Sequence, residues 1–436
     1  MIDAIASPWL PYAVLVSITA FARMRCGSWF APAAFVGLVW SFFTGASLLV
    51  VDYPVPDRGM WMLVLLIVAV QLGAIVAHQL QPEGPSGNRV SDEVFDSLIA
   101  PCRRYALLCT AIALAGCAYF LFTSLEEFDL PFTPLSVLEV GAKWTLQRYD
   151  DILEPWSVRL LVTWFHPACL LGGILFTCSR RRIDRAIALT TLAPALFYGI
   201  LTGARAVVLL GLTCWIGGYV AALCILSPAL AMFTRGRVSL LLLTAAAMLG
   251  LFAGVDAIRD TSWSEDVVLD LHEQKLSNYI FGPPAAFASW YAHPDASEIT
   301  WGTTTFAGPS DLLRIKQRTV GTYGAKLNLL GTESTNVYTF LRGLIEDFTE
   351  FGALIISAGV GGLAGWIYGR RYRNPRSRVF WLSMFFSVML FSPLVSLFSF
   401  NGAVLAWVVG WFVLRKKRPS PATFALPFLA GPEAIR

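Results

Sequence analysis

The sequence predicts an all-α, polytopic membrane protein of about eleven transmembrane helices with one large loop on the outer face. Three observations carry that prediction. Of the 436 residues, 56% are apolar and only 14% charged, with a mean hydropathy of +0.61, whereas a water-soluble domain carries about a quarter charged residues. Uncharged runs of spanning length recur along the chain. Basic residues crowd alternate loops.

The uncharged runs are 4–22, 29–51, 59–80, 105–123, 160–179, 186–204, 206–234, 238–255 and 351–369. Each is long enough to cross a hydrocarbon core of about 30 Å at about 1.5 Å per residue. A last run, 379–414, is too long for one crossing and is read as two helices separated by a turn at Asn401-Gly402. The first run lacks a basic flank and a small-residue cleavage pattern, so it is expected to be retained rather than removed as a signal peptide. Residues 1–255 then hold helices one to eight, 256–336 the large outer loop or lid, 337–414 helices nine to eleven, and 415–436 a cytoplasmic tail.

Lys and Arg are retained on the cytoplasmic side. With the N-terminus outside, the cytoplasmic segments hold 21 Lys/Arg and 6 Asp/Glu, against 12 and 23 outside. The arginine-rich stretches Arg180-Arg181-Arg182, Arg370-Arg371 and Arg415-Lys416-Lys417-Arg418 all fall inside. None of the eight cysteines lies between Val255 and Arg342, so no disulfide framework supports the outer loop. His78, His166, His272 and His293 show no metal-ligand spacing. No metal and no cofactor is expected, no phosphate-binding Gly-x-x-x-x-Gly-Lys pattern occurs, and no nucleic-acid partner is expected.

Polar chemistry gathers at the outer ends of the helices. Leu201-Thr202-Gly203-Ala204-Arg205 joins two spans with almost no loop, which puts Arg205 at the outer interface. An ionisable group at that depth usually faces a cavity or an anion, and the planar guanidinium suits bidentate phosphate contacts; snorkelling to lipid head groups is the alternative. Asp256 and Arg259 share a helix face as an anion clamp or an interfacial salt bridge. The richest stretch runs from Glu333 to Gly352, where Arg342, Glu346 and Glu350 follow at four-residue spacing with Asp347 between them. Crowded carboxylates beside an arginine at a membrane mouth suit a general base, or form a solvated helix start. His272 and His293 rank below them as bases.

The run Asn336-Val337-Tyr338-Thr339, followed by Glu346-Asp347-Phe348 and Phe351-Gly352, stands downstream of Thr202-Gly203-Ala204-Arg205 and of a loop pattern Ala286-Phe287, Gly302 and Phe306. Between Thr202 and Gly369 this order resembles the oligosaccharide repeat unit polymerases, the Wzy-type O-antigen polymerases. The sequence departs from that family where Thr349-Glu350 replaces the glycine that often follows the Asp-Phe pair. The arginines at 259, 314 and 318 do not reproduce the arginine-to-glycine repeats of some members.

The resemblance implies a GT-C-like architecture in the bacterial inner membrane and glycosyl transfer at its periplasmic face. The donor would be a polyprenyl-pyrophosphate-linked glycan and the acceptor a lipid-linked repeat unit, with a chain-length co-polymerase as partner. Arg205, assisted by Arg259 or Arg148, would hold the pyrophosphate. Asp347 or Glu346, beside Arg342, would take the proton of the attacking hydroxyl. Asn336, Tyr338, Trp290, Tyr291 and Trp301 would line the glycan path, with interfacial anchoring as the alternative for the aromatics. An O-antigen ligase acting on lipid A core and a lipid-linked oligosaccharide flippase are the competing readings.

Overall fold

The computed structural model describes residues 7–51, 54–81, 92–149, 154–226, 250, 265–293, 299–316, 327–330, 333–335, 337–369 and 374–415. The expected eighth span at 238–255, apart from Gly250, lies outside these residues, as do Asp256, Arg259, Asn336 and the tail beyond residue 415.

The chain folds as α1 (Trp9–Cys26), α2 (Pro32–Val50), α3 (Asp57–Gln79), α4 (Asp92–Glu127), α5 (Pro134–Tyr149), α6 (Trp156–Val162), α7 (Phe165–Cys178), α8 (Arg182–Thr190), α9 (Ala193–Thr202) and α10 (Arg205–Leu226). After these come α11 (Glu265–Ala292), α12 (Ala307–Leu312), α13 (Phe340–Gly369), α14 (Pro375–Phe391) and α15 (Asn401–Leu414). Strands β1 (Leu327–Leu330) and β2 (Glu333–Thr335) pair antiparallel, Leu327 opposite Thr335, and are an exception to the all-helical expectation. Pro32, Pro194 and Pro375 fall in the first turns of α2, α9 and α14, where the missing N–H removes no intrahelical bond. Gly27 (φ +70°) and Gly203 (φ +58°) end α1 and α9 in the left-handed conformation that glycine adopts without steric cost.

Among the described residues seven helices or helix pairs are long and apolar enough to cross a membrane: α2, α3, α4, α6 with α7, α8 with α9, α10 and α13. This is a polytopic membrane protein, and of the eleven spans expected seven are found among the described residues. The difference is specific. The eighth span is outside the described residues; α1 carries Arg23 and Arg25 in its last turn; α14 and α15 are only 17 and 14 residues long. The break between those two also differs from expectation. It occupies residues 392–400, with a 3-10 turn at Leu397–Ser399, and Asn401 opens α15 rather than forming a turn. Gly402 is needed for packing there: a Cβ on it would stand 2.2 Å from the His166 ring.

Hydrocarbon gives helices no solvent-driven reason to associate, so they approach where side chains are small. A Cβ on Gly361 or Gly365 of α13 would meet the Val70 and Ala74 carbonyl oxygens of α3 at 1.9 and 2.1 Å, and one on Gly73 of α3 would meet the Ala358 carbonyl oxygen at 2.1 Å. A Cβ on Gly173 of α7 would meet the Trp215 carbonyl oxygen of α10 equally closely, at 1.9 Å. Mid-bundle, Gln71 Nε2 donates to the Thr19 hydroxyl (3.1 Å) and the Ala33 carbonyl (3.2 Å), tying α1, α2 and α3.

These contacts make α3 and α13 parallel and sort the polar groups to two ends. One end holds the Arg103–Asp184 ion pair (3.3 Å), the Arg376 Nε to Ser97 bond (3.2 Å) and Arg378 donating to the Ile367 carbonyl (2.9 Å). The other holds the α9–α10 junction, the start of α3, the end of α11 and the start of α13. Here α11 does something a surface loop does not. Residues 282–289 are all buried, Phe281 packs on Phe42 and Phe43 of α2, and Ala288 lies against Gly59 of α3 so closely that a Cβ on that glycine would overlap it.

Candidate functional site

α13 is two helices joined at a kink. Thr349 has φ +64° and ψ 173°, a conformation close to glycine-only that costs a branched residue about 1–3 kcal/mol. The short first segment carries Arg342, Glu346 and Asp347, and Glu350 opens the second, which is long and apolar enough to cross the membrane.

Four residues apart on the first segment, Arg342 Nε donates to Glu346 Oε1 at 2.7 Å, with side chains 9% and 11% exposed. The Arg342 guanidinium lies over the Tyr338 ring at 4.2 Å and the Trp290 ring at 4.9 Å. Aromatic faces and a shared carboxylate therefore hold a mostly desolvated cation in a fixed orientation. Tyr338 is itself buried with Ala285, Ala286 and Val51, so the burial of α11 is what fixes one wall of this pair.

Asp347, next in sequence, is fully buried and points elsewhere. Its Oδ1 accepts from the Thr300 hydroxyl and from the Thr304 N–H (3.1 Å), and its Oδ2 accepts from the Thr305 N–H (2.6 Å). The Thr300 N–H donates to the Glu346 carbonyl at 3.0 Å. Residues 299–306 are thus clamped to α13. The left-handed Trp301 (φ +51°) and Gly302 (φ +91°) turn the chain so that successive amides face the carboxylate.

Immediately beyond the kink, Glu350 Oε1 accepts from the Tyr291 hydroxyl at 2.7 Å. Arg58, at the exposed start of α3, stands 5.4 Å over the Tyr291 ring. Burial, followed by the neighbouring Glu350 carboxylate, pushes the Tyr291 phenol above its ordinary pKa, so it remains a donor at neutral pH.

Arg205 opens α10 two residues after Gly203 and lies 5.9 Å from the Tyr279 ring of α11. α5 roofs this junction: a Cβ on Gly203 would strike the Thr145 hydroxyl. Tyr279 and Trp290 are three turns apart on α11, about 16 Å along its axis. Arg205 and Arg342 therefore border the same helix as separate stations and do not form one cluster. Arg148 stands in the last turn of α5, and Trp301 is 78% exposed. Sequence reasoning missed Arg58 and the donors Thr300, Thr304 and Thr305. The Gly302-Thr303-Thr304-Thr305 run was the available signal, since small polar residues around a glycine present backbone amides. Among the described residues no three His, Cys, Asp or Glu side chains converge as a metal site would require.

No protein-family model, curated protein or solved structure matches this chain.

Proposed function

We propose that this protein is a glycosyltransferase that polymerises polyprenyl-pyrophosphate-linked oligosaccharide repeat units at the periplasmic face of the bacterial inner membrane. The observation that carries the proposal is the Arg342–Glu346 pair, enclosed by Tyr338 and Trp290 at the end of the bundle opposite the arginine-rich loops. The positive-inside rule assigns those loops to the cytoplasm and the pair to the outer face, with the N-terminus outside and the C-terminus inside. The resemblance of the 202–369 region to repeat unit polymerases supports the same reaction.

In this mechanism the donor's lipid pyrophosphate leaves as the acceptor hydroxyl attacks the anomeric carbon. Arginines stabilise the charge that develops on the leaving group: Arg342 directly, and Arg205 at its separate station along α11, for the second lipid-linked substrate. Glu346 is the base. It has an oxygen beyond the one bonded to Arg342, and the cation beside it balances its charge until it accepts the proton. Asp347 has both oxygens engaged by loop donors, so it serves as a positioning residue that holds residues 299–306 over the pair. Flat aromatic faces at Trp290 and Tyr338 suit the C–H surfaces of sugars.

The test is complementation of a deletion strain, followed by gel analysis of surface and lipid-linked glycan. Arg342→Ala and Glu346→Gln are expected to reduce chain extension by about 100-fold or more, the scale for removing one preorganised charge-stabilising group, while short glycans of one repeat persist. Normal ladders from both variants would refute the assignment. Loss of all surface glycan would instead indicate a flippase, and full-length polymer retained on the lipid carrier a ligase.

A further inference from the structure

Helix α5 has three distinct sides. Val140 and Trp144 form the inner one: both are buried, Trp144 Nε1 donates to the Ser124 hydroxyl of α4 at 2.8 Å, and its ring packs on Phe120 at 5.2 Å. A polar edge follows, with Glu139, Lys143 and Gln147 at four-residue spacing. Lys143 Nζ donates to the Phe128 carbonyl (3.3 Å) and Gln147 Nε2 to Glu127 Oε1 (3.4 Å), so this edge turns toward the end of α4. The third side is Leu135, Leu138, Ala142 and Leu146, a single stripe at three- and four-residue spacing. It stays open, with Leu135 and Leu146 63% and 67% exposed.

Depth decides what meets that stripe. α4 carries no charge between Arg104 and Glu126, and those 21 residues rise about 32 Å, one hydrocarbon core. Ser124 and Phe120, which receive Trp144, lie two and six residues before Glu126, about 3 and 9 Å inside that core. α5 is therefore held below the level of the first charge and not in the water above it. Lipid-facing surface continues on both sides of it. Before α5, exposed Phe132 stacks on exposed Phe122 of α4, with ring centroids 5.7 Å apart. After it, exposed Trp156 and Leu160 begin the next span.

We infer that α5 is an in-plane helix whose Leu135–Leu146 stripe lies among the acyl chains of the outer-leaflet phospholipids. An interfacial amphipathic helix buries its apolar face about 5–10 Å into the head-group boundary, which matches the depth at which Trp144 docks. Arg103 and Arg104 mark the other end of α4, and the positive-inside rule assigns that end to the cytoplasm. The stripe carries no polar group that would select a head group, so its partner is bulk phospholipid. Seating α5 in lipid also fixes the roof over the α9–α10 junction, because Thr145, next to Trp144, is the residue that stands against Gly203.

The experiment places the photoreactive residue p-benzoylphenylalanine at Leu138, Leu146, Gln147 or Leu114 of the full-length protein, in nanodiscs of phosphatidylethanolamine and phosphatidylglycerol with radiolabelled acyl chains. Leu114 is an exposed position midway along α4 and serves as the lipid-facing reference. Probes at Leu138 and Leu146 are expected to capture lipid to the extent seen at Leu114 and about fivefold more than the probe on the polar edge at Gln147. Capture at both leucines no greater than at Gln147 would overturn the inference. The same probes irradiated in whole cells test for a protein on this face: conversion of most of the protein to a higher-mass protein adduct at both leucines would overturn it as well.

A second variant moves the helix itself. Leu138→Glu with Leu146→Glu sets two charges among acyl chains, and hydrogen exchange of the α5 amides in nanodiscs should speed up by about tenfold or more while α7 stays unchanged. Unchanged exchange in α5 would place the stripe in water. Should the double variant fail to fold, lipid capture by the single probes decides. Capture needs no turnover, so the seat of α5 stands or falls separately from the glycosyl transfer proposed above.

Discussion

Replacing Asp347 by Asn separates a chemical role from a structural one. Asparagine keeps the shape of the side chain but offers a single acceptor oxygen, while the loop presents amides to both: Thr304 N–H to Oδ1 and Thr305 N–H to Oδ2. One amide must then face an NH2 group. A buried donor left unsatisfied costs about 1–3 kcal/mol, and the surviving bonds lose their charge assistance, about 1 kcal/mol more. Together these give about 2–4 kcal/mol of lost anchoring for residues 299–306. At about 1.4 kcal/mol per tenfold, hydrogen exchange of the Thr304 and Thr305 amides should speed up by about 30- to 700-fold, with helix α7 unaffected because it makes no part of the clamp. Thr300→Ala should move exchange in the same direction by less. If Asp347→Asn retains wild-type protection and yet abolishes chain extension, the clamp is not what Asp347 contributes and its carboxylate belongs in the chemistry.

Two further substitutions probe the frame around the site. Thr349→Gly removes the steric cost of the kink and should stabilise the protein by about 1–3 kcal/mol in denaturant unfolding, whereas Thr349→Ala should give little of that gain; equal effects from the two would rule out backbone strain. Gly361→Leu forces a Cβ to within 1.9 Å of the Val70 carbonyl oxygen and should part α3 from α13, seen as loss of monodisperse protein after detergent extraction. A well-behaved Gly361→Leu protein would mean that the two helices are not held at this contact.

Much of the membrane architecture was legible because it depends on composition averaged over twenty residues. Seven of the predicted runs correspond to elements long and apolar enough to span, and the arginine-rich segments that the structure describes lie together at one end. The last two helices were legible as a pair but misplaced at their break, because Asn401-Gly402 is as suited to a turn as to a helix start and only His166, 236 positions upstream, decides between them. The pairing of Arg342 with Glu346 followed from four-residue spacing. The direction of Asp347 did not, since an adjacent residue on a helix points about 100° away and its partners lie 42 to 47 positions upstream. Arg58 carried no signal for a similar reason: its relation to Tyr291 and Glu350 exists only once α3, α11 and α13 have met. Thr349 was visible as a departure from a glycine, but only its left-handed φ explains why glycine suits the position.

The burial of α11 bears on how the protein is made. Its first half carries Glu265, Asp266, Asp270, Glu273 and Lys275, so insertion machinery that sorts segments by hydrophobicity would release it into water. Residues 282–289 nevertheless end among α2 and α3, which leave the ribosome more than 200 residues earlier. The slot between α2 and α3 is therefore filled by a segment synthesised long after both helices. Gly59, next to Arg58, sets the width of that slot, so a larger side chain there would keep residues 282–289 from docking.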